Sequence, residues 1–317
     1  MFKPKTPELA PAGVAVAAPA RWQDYVQLLK PRVMSLVVFT ALTGLLAARV
    51  PVNPVLGFVA VLCIAIGAGA SGALNMWYDA DIDIRMRRTR NRPVPSGRVQ
   101  PSDALGLGVT LSLFAVTIMI LAINLLAAAL LAFTIVFYAV VYTMWLKRST
   151  PQNIVIGGLA GAIPPVLGWT AVTDSLHPFA LQLCLIIFVW TPPHFWALAI
   201  FRRDDYARAQ VPMLPVTHGV VYTRWHVFYY TILLVIVTLL PALTGMSGLI
   251  YLGGAAVLGA GFLYYAVRLL NPPDEFFAMK VFNYSIVYLM ALFAFLLADH
   301  WLIGPIAHAD TILRPVV

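Results

Sequence analysis

Charged residues are scarce in this chain, and their scarcity excludes a soluble globular protein. Asp, Glu, Lys and Arg together make up 11% of the 317 residues, whereas 61% are hydrophobic. Soluble domains usually carry about a quarter charged residues, so this composition is typical of an integral membrane protein. After the N-terminal tail the longest polar interval is the segment 77–103. We therefore expect one membrane domain and no soluble domain.

Cysteine is nearly absent as well, which excludes a disulfide framework and a cysteine-based metal site. Cys63 and Cys184 are the only two cysteines, and both lie in apolar segments, where we interpret them as packing residues. Residues 1–20 lack the long apolar core of a signal peptide, because Pro11 and Pro19 interrupt it. We expect a disordered cytoplasmic tail over this segment.

Long apolar runs fill most of the remaining sequence. A helix needs about 20 mostly apolar residues to cross the hydrocarbon core of a bilayer. The runs of this kind cover residues 33–49, 54–76, 104–123, 125–146, 154–172, 178–201, 226–245, 248–269 and 281–303. The sequence therefore predicts an all-α, polytopic membrane protein with nine transmembrane helices. We assign 21–305 to a single transmembrane domain and 306–317 to a short periplasmic tail.

The positions of the basic residues explain the net charge of +8. With the N-terminus in the cytoplasm, all of the 21 Lys and Arg except Arg49 and Arg314 fall on the cytoplasmic side of the predicted helices. This asymmetry follows the positive-inside rule, so the charge reports membrane orientation and not nucleic-acid binding. Nine crossings then place the C-terminus in the periplasm, on the opposite side from the N-terminus.

An acidic motif follows the second apolar run. Asn75, Asp79 and Asp83 are four residues apart, which places them on one stripe of a helix, while Asp81 faces nearly the opposite side. Oxygen-bearing side chains in such a stripe are the ligands that Mg²⁺ accepts, particularly when phosphate oxygens and water complete its coordination. The spacing therefore indicates a metal site at the cytoplasmic end of this helix.

A solvated helix end with surface ion pairs is the alternative. Asp81 and Arg85, and likewise Asp83 and Arg87, are also four residues apart and could pair along a helix. Asn75 argues for a functional site, because it lies inside the apolar run, where an unpaired amide is costly.

The arginines after this motif could serve only to keep the segment in the cytoplasm. There are more of them than orientation requires, and guanidinium groups beside a divalent cation are suited to binding a diphosphate. Pro93, Pro95 and Gly97 restrict the path of the segment. The arginines are Arg85, Arg87, Arg88, Arg90, Arg92 and Arg98.

A second acidic motif lies at the end of the sixth predicted helix. Asp205 follows His194 by eleven positions, so the two share a helical face if the helix is unbroken, while Asp204 faces away. Pro192 and Pro193 predict an irregular or kinked segment, which a bilayer tolerates only where it is buried or lines a cavity. His194 could contact a ligand there, or it could be a structural histidine bonded to a freed carbonyl.

The two acidic segments resemble each other. Each has aspartates, then basic residues, then a proline pair, at an offset of about 120 residues, which is typical of membrane proteins built from repeats. Because both segments fall on the cytoplasmic side, they could together build one site. The segment 20–32 mixes aromatic, aliphatic and charged residues, which predicts an interfacial helix that ends at Pro31.

These residues carry a resemblance to a known family. The run from Asn75 to Asp83, followed by MRRTRNRPVPSGR, resembles the first aspartate-rich motif of the UbiA-type intramembrane prenyltransferases. The segments DYVQLLKPRV, TPPHFWALAI and DDYARAQVPMLPV resemble, more narrowly, the members of this family that farnesylate haem. The family's bundle of nine helices agrees with the number of apolar runs.

The resemblance implies that a farnesyl group passes from farnesyl diphosphate to the vinyl group of haem B, with addition of water, to give haem O and diphosphate. The reaction would occur in the cell inner membrane, with haem B as a substrate and a haem A synthase as a candidate partner. The resemblance gives catalytic roles to Asp79, Asp83 and Asp205, with Mg²⁺ on Asp79 and Asp83 supported by Asn75 and Asp205. The implied substrate-binding residues are Asn75, Arg87, Arg90, Arg92, Lys30, Arg32, His194, Arg202, Arg203 and Arg208.

The sequence departs from the family pattern at one position, and two other functions are open as alternatives. Many relatives have a second Asp-x-x-x-Asp motif, but here Ala209 stands four residues after Asp205, so we expect no second full metal cluster. A UbiA-type enzyme that prenylates a quinone precursor or another tetrapyrrole is the closest alternative. A membrane transporter or haem-handling protein is the second, and the few ionisable residues at mid-membrane argue against it.

Overall fold

The computed structural model describes residues 20–302, and all regular secondary structure in that range is helical. Eight helices are long and apolar enough to cross a membrane, and a bent pair of helices adds a ninth crossing if the pair is one span. This confirms the predicted all-α membrane fold. Nearly all of the predicted tail 1–20 and all of the tail 306–317 lie outside the described residues.

The helices follow the apolar runs closely. The largest shift is at the helix Val220–Leu243, which starts six residues before the predicted position, because Thr223 and Arg224 interrupt the apolar character of its first turns. In chain order the helices that position the site or span the bundle are α1 (Trp22–Leu28), α2 (Pro31–Ala47), α3 (Pro54–Tyr78), α4 (Ala80–Asp83), α5 (Pro101–Ala122), α6 (Leu125–Ser149), α7 (Asn153–Thr173), α8 (Pro178–Phe201), α9 (Arg203–Arg208), α10 (Leu214–Thr217), α11 (Val220–Leu243), α12 (Leu249–Leu270) and α13 (Phe277–Leu302).

The first two helices meet at a bend of 49°. Lys30 lies at the bend with a φ of 52°, in the left-handed region, and Pro31 is the first residue of α2. The first helix ends at Leu28, before Pro31, as predicted, and Pro31 also starts the next helix. A proline disfavours the helical conformation in the residue before it, yet fits well at the start of a helix, where its missing N–H is not needed.

Two apolar cores hold the bundle together. One lies among α2, α3, α5, α6 and α7, and the other lies mainly among α7, α8, α11, α12 and α13. Leu130 and Cys184 contact both cores, and Cys63 is buried in the first. Both cysteines are free thiols that pack against apolar neighbours, as the sequence predicts. Because lipid is as apolar as these side chains, close packing contributes more to helix association here than the hydrophobic effect does.

The two acidic segments pack against each other at one end of the bundle. Ile82 and Met86 of the first segment share a buried cluster with Val211 and Met213 of the second. A further cluster, which includes Leu28, fixes the chain after α4 against α1 and α3. The fold thus brings together the two regions that the sequence predicts to build one site.

Candidate active site

The three residues of the first acidic stripe are buried together. The backbone N–H of Asp79 donates to the Asn75 carbonyl at 2.9 Å, and that of Asp83 donates to the Asp79 carbonyl at 2.8 Å, so the helical path continues from α3 into α4. Asp79 and Asp83 are 0% and 1% exposed, and Asn75 is 4% exposed. The side chain of Asp81 is 56% exposed. The stripe therefore faces the interior, and Asp81 faces outward.

Hydrogen bonds connect this stripe to two other parts of the chain. The amide nitrogen of Asn75 donates to Asp79 Oδ2 at 2.6 Å and to Thr143 Oγ1 at 3.1 Å. Lys30 Nζ donates to Asn75 Oδ1, and Lys147 Nζ pairs with Asp79 Oδ2. The bend before α2 and the end of α6 thus each supply a lysine to the acidic stripe.

The second carboxylate has its own cation. Arg92 Nη1 contacts Asp83 Oδ2 at 2.6 Å, and Thr89 Oγ1 donates to the Asp83 backbone carbonyl at 2.8 Å. Arg148 lies 3.6 Å from Asp79 Oδ1, which is too far for a hydrogen bond. Within residues 20–302 the Oδ1 atoms of both carboxylates are buried and accept no hydrogen bond. Such orphaned buried acceptors are rare in folded proteins and indicate a missing ligand.

These two free oxygens fit a divalent cation. Mg²⁺ is usually bound by one or two carboxylates, with substrate phosphates and water as the other ligands. No group of three or more His, Cys, Asp or Glu side chains in the described part of the chain could hold a metal ion, so Asp205 does not complete a three-acid cluster with Asp79 and Asp83. The donor set suits a cation that is bound together with a phosphate ligand.

The predicted pairing of Asp81 with Arg85 is wrong. Arg148 instead binds both carboxylate oxygens of Asp81, at 2.7 and 2.8 Å, and these hydrogen bonds hold the pKa of Asp81 below its usual value. The physical reason is that α4 ends at Asp83, so residues four positions further along no longer follow a helical path.

Asp205 links the two acidic segments. Its Oδ1 accepts a hydrogen bond from the backbone N–H of Arg87 at 3.4 Å and pairs with Arg208. The side chain of Arg87 is exposed and does not pair with Asp83, contrary to the spacing. Asp205 is 7% exposed, so a carboxylate of the second segment is buried against the backbone of the first.

His194 does not share a helical face with Asp205. The helix α8 ends at Phe201, and a new helix starts at Arg203, so the unbroken helix that this prediction required is absent here. The helix does run through Pro192 and Pro193 without an irregular segment.

The His194 ring lies between two aromatic rings. Its centroid is 4.2 Å from that of Trp190 and 4.4 Å from that of Phe282, and both pairs are stacked. Its Nδ1 is 2.6 Å from Ser285 Oγ. The hydrogen bond to the serine differs from the predicted bond to a freed backbone carbonyl.

The other predicted substrate-binding arginines lie at the rim of this region. Arg32 and Arg90 are exposed and form no ion pair within residues 20–302, and Arg203 pairs with the exposed Asp204 at 3.4 Å. Arg202 lies over the ring of Phe201, 4.9 Å from its centroid. None of these four contacts Asp79 or Asp83 in the structure.

Sequence reasoning did not identify several residues of the site, and most of these residues lie on α6. Its segment Phe137–Leu146 is a π-helix, which turns by about 80° per residue instead of the roughly 100° of an α-helix. Lys147 directly follows this segment and is nine positions after Tyr138, a separation of about two full π-helical turns, so both residues face the same side. An α-helix would put them on opposite sides. The signal in the sequence was a pair of basic residues, Lys147 and Arg148, whose presence membrane orientation alone also explains.

Three tyrosines surround the acidic stripe. The rings of Tyr138 and Tyr142 lie 5.3 Å apart, and both residues are within electrostatic range of Asp79. Tyr206 of α9 packs against the buried cluster of Ile82 and Met86, and burial raises its pKa. The site therefore combines carboxylates and cations at its polar end with aromatic rings beside them.

Comparison with known proteins identifies the family. A model of the UbiA prenyltransferase family matches residues 36–296. The chain belongs to the UbiA prenyltransferase family. A protein from Caulobacter sp. strain K31 that is named protoheme IX farnesyltransferase is 56% identical to this chain. The alignment covers 94% of each of the two proteins. Another of that name from Azorhizobium caulinodans is 58% identical, over 87% of this chain and 92% of the relative.

Solved structures share the bundle of this UbiA prenyltransferase. A structure described for digeranylgeranylglyceryl phosphate synthase has a TM-score of 0.73 at 17% identity, covering 87% of this chain and 97% of that one. A UbiA homolog from Archaeoglobus fulgidus, bound to GPP and Mg²⁺, has a TM-score of 0.62 at 15% identity, covering 86% and 99%. At these identities the likeness shows the fold alone.

Proposed function

We propose that this prenyltransferase is a haem O synthase. It transfers the farnesyl group of farnesyl diphosphate to the vinyl group of haem B, with addition of water, and releases diphosphate. The observation that carries this proposal is the 56% identity, over 94% of both chains, to a protein named protoheme IX farnesyltransferase. Neither a quinone precursor as acceptor nor a transport function has a comparable observation in its favour.

In this proposal Asp79 and Asp83 hold Mg²⁺, and Asn75 and Asp205 support the two carboxylates. The buried, unpartnered Oδ1 atoms of Asp79 and Asp83 favour this assignment, and the Archaeoglobus fulgidus relative is bound to GPP and Mg²⁺. When bound, Mg²⁺ supplies neutralisation of the negative charge on the departing diphosphate.

The basic side chains around the stripe stabilise the leaving group. The bond between farnesyl C1 and the diphosphate oxygen breaks, and its electron pair stays with the diphosphate. Lys30, Lys147, Arg92 and Arg148 lie beside the acidic stripe, which supports this role, since fixed cations in a site with little water stabilise developing negative charge strongly. The rim arginines are proposed to attract and contact the anionic substrate; they are Arg32, Arg87, Arg90, Arg202, Arg203 and Arg208.

The aromatic residues are proposed to act on the farnesyl group and the haem rather than on the diphosphate. The faces of Tyr138 and Tyr142, beside Asp79, are suited to stabilise positive charge on the farnesyl C1 carbon. That carbon then forms a bond to the vinyl group, and water adds to the other vinyl carbon and loses a proton. A dry apolar surrounding prevents water from capturing the farnesyl carbon first. His194 is proposed to contact the porphyrin.

We further propose that the enzyme lies in the cell inner membrane with its N-terminus and active site on the cytoplasmic side and its C-terminus in the periplasm. The asymmetry of Lys and Arg along the sequence supports this orientation. A haem A synthase is a candidate partner, because it would use the product.

Substitution of the acidic residues tests this proposal. Purified protein incubated with farnesyl diphosphate, haem B and Mg²⁺ should form haem O, and chelation of Mg²⁺ with EDTA should stop the reaction. Asp79→Asn and Asp83→Asn should each lower the rate at least about 100-fold, since each removes a metal ligand and about 3 kcal/mol of transition-state stabilisation. Haem O formation by either variant at the parent rate would contradict the proposal.

Asp103→Asn is the matched control. It changes a carboxylate in the same way, but Asp103 is exposed in the first turn of α5 and has no role in the proposed site. Its rate should stay within about threefold of the parent, because substitutions at exposed positions usually change stability by about 0.5 kcal/mol or less.

A further inference from the structure

We propose that Lys147 competes with the divalent cation for Asp79, so that the protein binds the cation well only together with a diphosphate. The inference rests on the proposed function in one respect, which is that Asp79 is a metal ligand. It adds a positioning role for Lys147, and it makes binding of the metal dependent on binding of the diphosphate.

The first observation is that each carboxylate already has a cation. Lys147 pairs with Asp79 and Arg92 pairs with Asp83, and the side chains of the two aspartates are 0% and 1% exposed. Lys30 also holds the Asn75 amide oxygen, which would otherwise be available to support a metal. A cation that enters the site finds the Oδ1 atoms of both carboxylates without hydrogen bonds, but the negative charge of each carboxylate is already shared with a basic side chain.

The second observation is the balance of charge. Lys30 Nζ donates to Asn75 Oδ1, next to Asp79, and Arg148 lies 3.6 Å from Asp79 while it pairs with Asp81. With Lys147 and Arg92, four basic side chains thus face three carboxylates, so basic groups outnumber acidic ones at the site. A divalent cation alone would increase this excess, which is unfavourable where solvent screening is weak. A diphosphate that enters with the cation offsets it.

The chemistry of lysine permits an exchange. An ammonium group on a flexible four-carbon chain can move between nearby anions more readily than a planar guanidinium can. When the cation takes Asp79, the Lys147 ammonium can leave Oδ2 and pair with an oxygen of the diphosphate. Coupling between two bound ligands is reciprocal. The diphosphate therefore strengthens binding of the cation, and the cation strengthens binding of the diphosphate by the same factor.

Equilibrium dialysis with Mn²⁺ as the probe tests the inference. Full-length protein in detergent is dialysed against Mn²⁺ alone and against Mn²⁺ with inorganic diphosphate, and protein-bound manganese is measured by elemental analysis. The parent should bind Mn²⁺ alone at least about tenfold more weakly than it does with diphosphate. Lys147→Met should bind Mn²⁺ alone about tenfold more tightly than the parent and depend less on diphosphate.

Two further variants make the result specific to Lys147. Lys147→Arg keeps the positive charge and should bind Mn²⁺ alone as weakly as the parent does, with a smaller gain from diphosphate because a guanidinium leaves Asp79 less readily. Lys280→Met removes an exposed lysine that pairs with Asp274 at 3.4 Å and should also match the parent. If Lys147→Met does not fold, Arg92→Met makes the same test at Asp83, with the same expected gain in binding of Mn²⁺ alone.

The outcomes separate this inference from the proposed function. Equal binding of Mn²⁺ alone by Lys147→Met and the parent would overturn the inference and leave the metal role of Asp79 intact. Parent protein that binds no Mn²⁺ even with diphosphate would contradict the metal site itself. The dialysis contains neither a farnesyl group nor haem, so failure of haem O synthesis would not affect its result.

Discussion

At the scale of single residues, Ser285 and two aromatic rings hold the imidazole of His194 in place. The Ser285 hydroxyl oxygen lies 2.6 Å from the Phe282 carbonyl oxygen and 2.6 Å from His194 Nδ1. The stacked rings of Trp190 and Phe282 cover both faces of the imidazole. These contacts fix the orientation of the ring.

Replacement of His194 should weaken binding of the acceptor. We expect His194→Ala to raise the apparent Kd for haem B about tenfold, which corresponds to about 1.4 kcal/mol, as measured by absorbance titration. His226→Ala is the control, because His226 bonds the Tyr222 carbonyl of its own helix and should leave the titration unchanged. A His194→Ala curve that superimposes on the parent curve would remove His194 from the substrate site.

The sequence predicted the acidic stripe but not its partners. The spacing of Asn75, Asp79 and Asp83 is a local property, and a helix turns such spacing directly into a shared face. Arg148 is 67 positions from Asp81, and a contact over that separation depends on the packing of α3 against α6. Local spacing therefore proposed Arg85 as the partner of Asp81, and this prediction was wrong.

At the scale of elements, two glycines set the crossing of α2 and α7. A Cβ built on Gly44 would lie 1.9 Å from the Pro165 carbonyl oxygen, and one built on Gly168 would lie 1.9 Å from the Ala41 carbonyl oxygen. The two backbones therefore touch, as small residues allow in membrane helices. This close contact fixes α2, and with it the bend that carries Lys30 to the active site.

Alanine at Gly168 should destabilise the bundle, because its methyl group would meet backbone that cannot move aside. We expect Gly168→Ala to cost about 1–3 kcal/mol and to lower the Tm of the purified protein by several degrees. Gly161→Ala in the same helix is the control, since a Cβ added at Gly161 would meet no atom within 4 Å in the described part of the chain, and alanine favours helix more than glycine does. A Gly168→Ala protein with the Tm of Gly161→Ala would show that the close contact is unimportant.

Hydropathy predicted where the helices lie but not how two of them depart from regularity. Length and apolar character determine a membrane crossing, and the runs 54–76 and 178–201 match α3 and α8 within two residues. The π-helical segment Phe137–Leu146 left no comparable signal in the sequence. Pro31 signalled a break before α2 but not the left-handed conformation of Lys30.

At the scale of the whole molecule, the two acidic segments show why the site could be located before its geometry was known. Their similar order of aspartates, basic residues and prolines predicted a common site, and the buried cluster of Ile82, Met86, Val211 and Met213 joins them. The expected support of the metal by Asp205 stays a prediction, because in the structure Asp205 bonds the Arg87 backbone and Arg208. A repeat in sequence predicts proximity, whereas the role of each copy depends on its contacts.

The central claim is that a bundle shared by prenyltransferases with different acceptors acts here on haem. Competition between acceptors tests this claim most directly. Purified protein, Mg²⁺ and radiolabelled farnesyl diphosphate are incubated with equimolar haem B and an aromatic acid precursor of quinones, and the label in each product is counted after separation. We predict that the label appears in haem O and not in the aromatic acid. Label in the aromatic acid with haem B unchanged would contradict the claim.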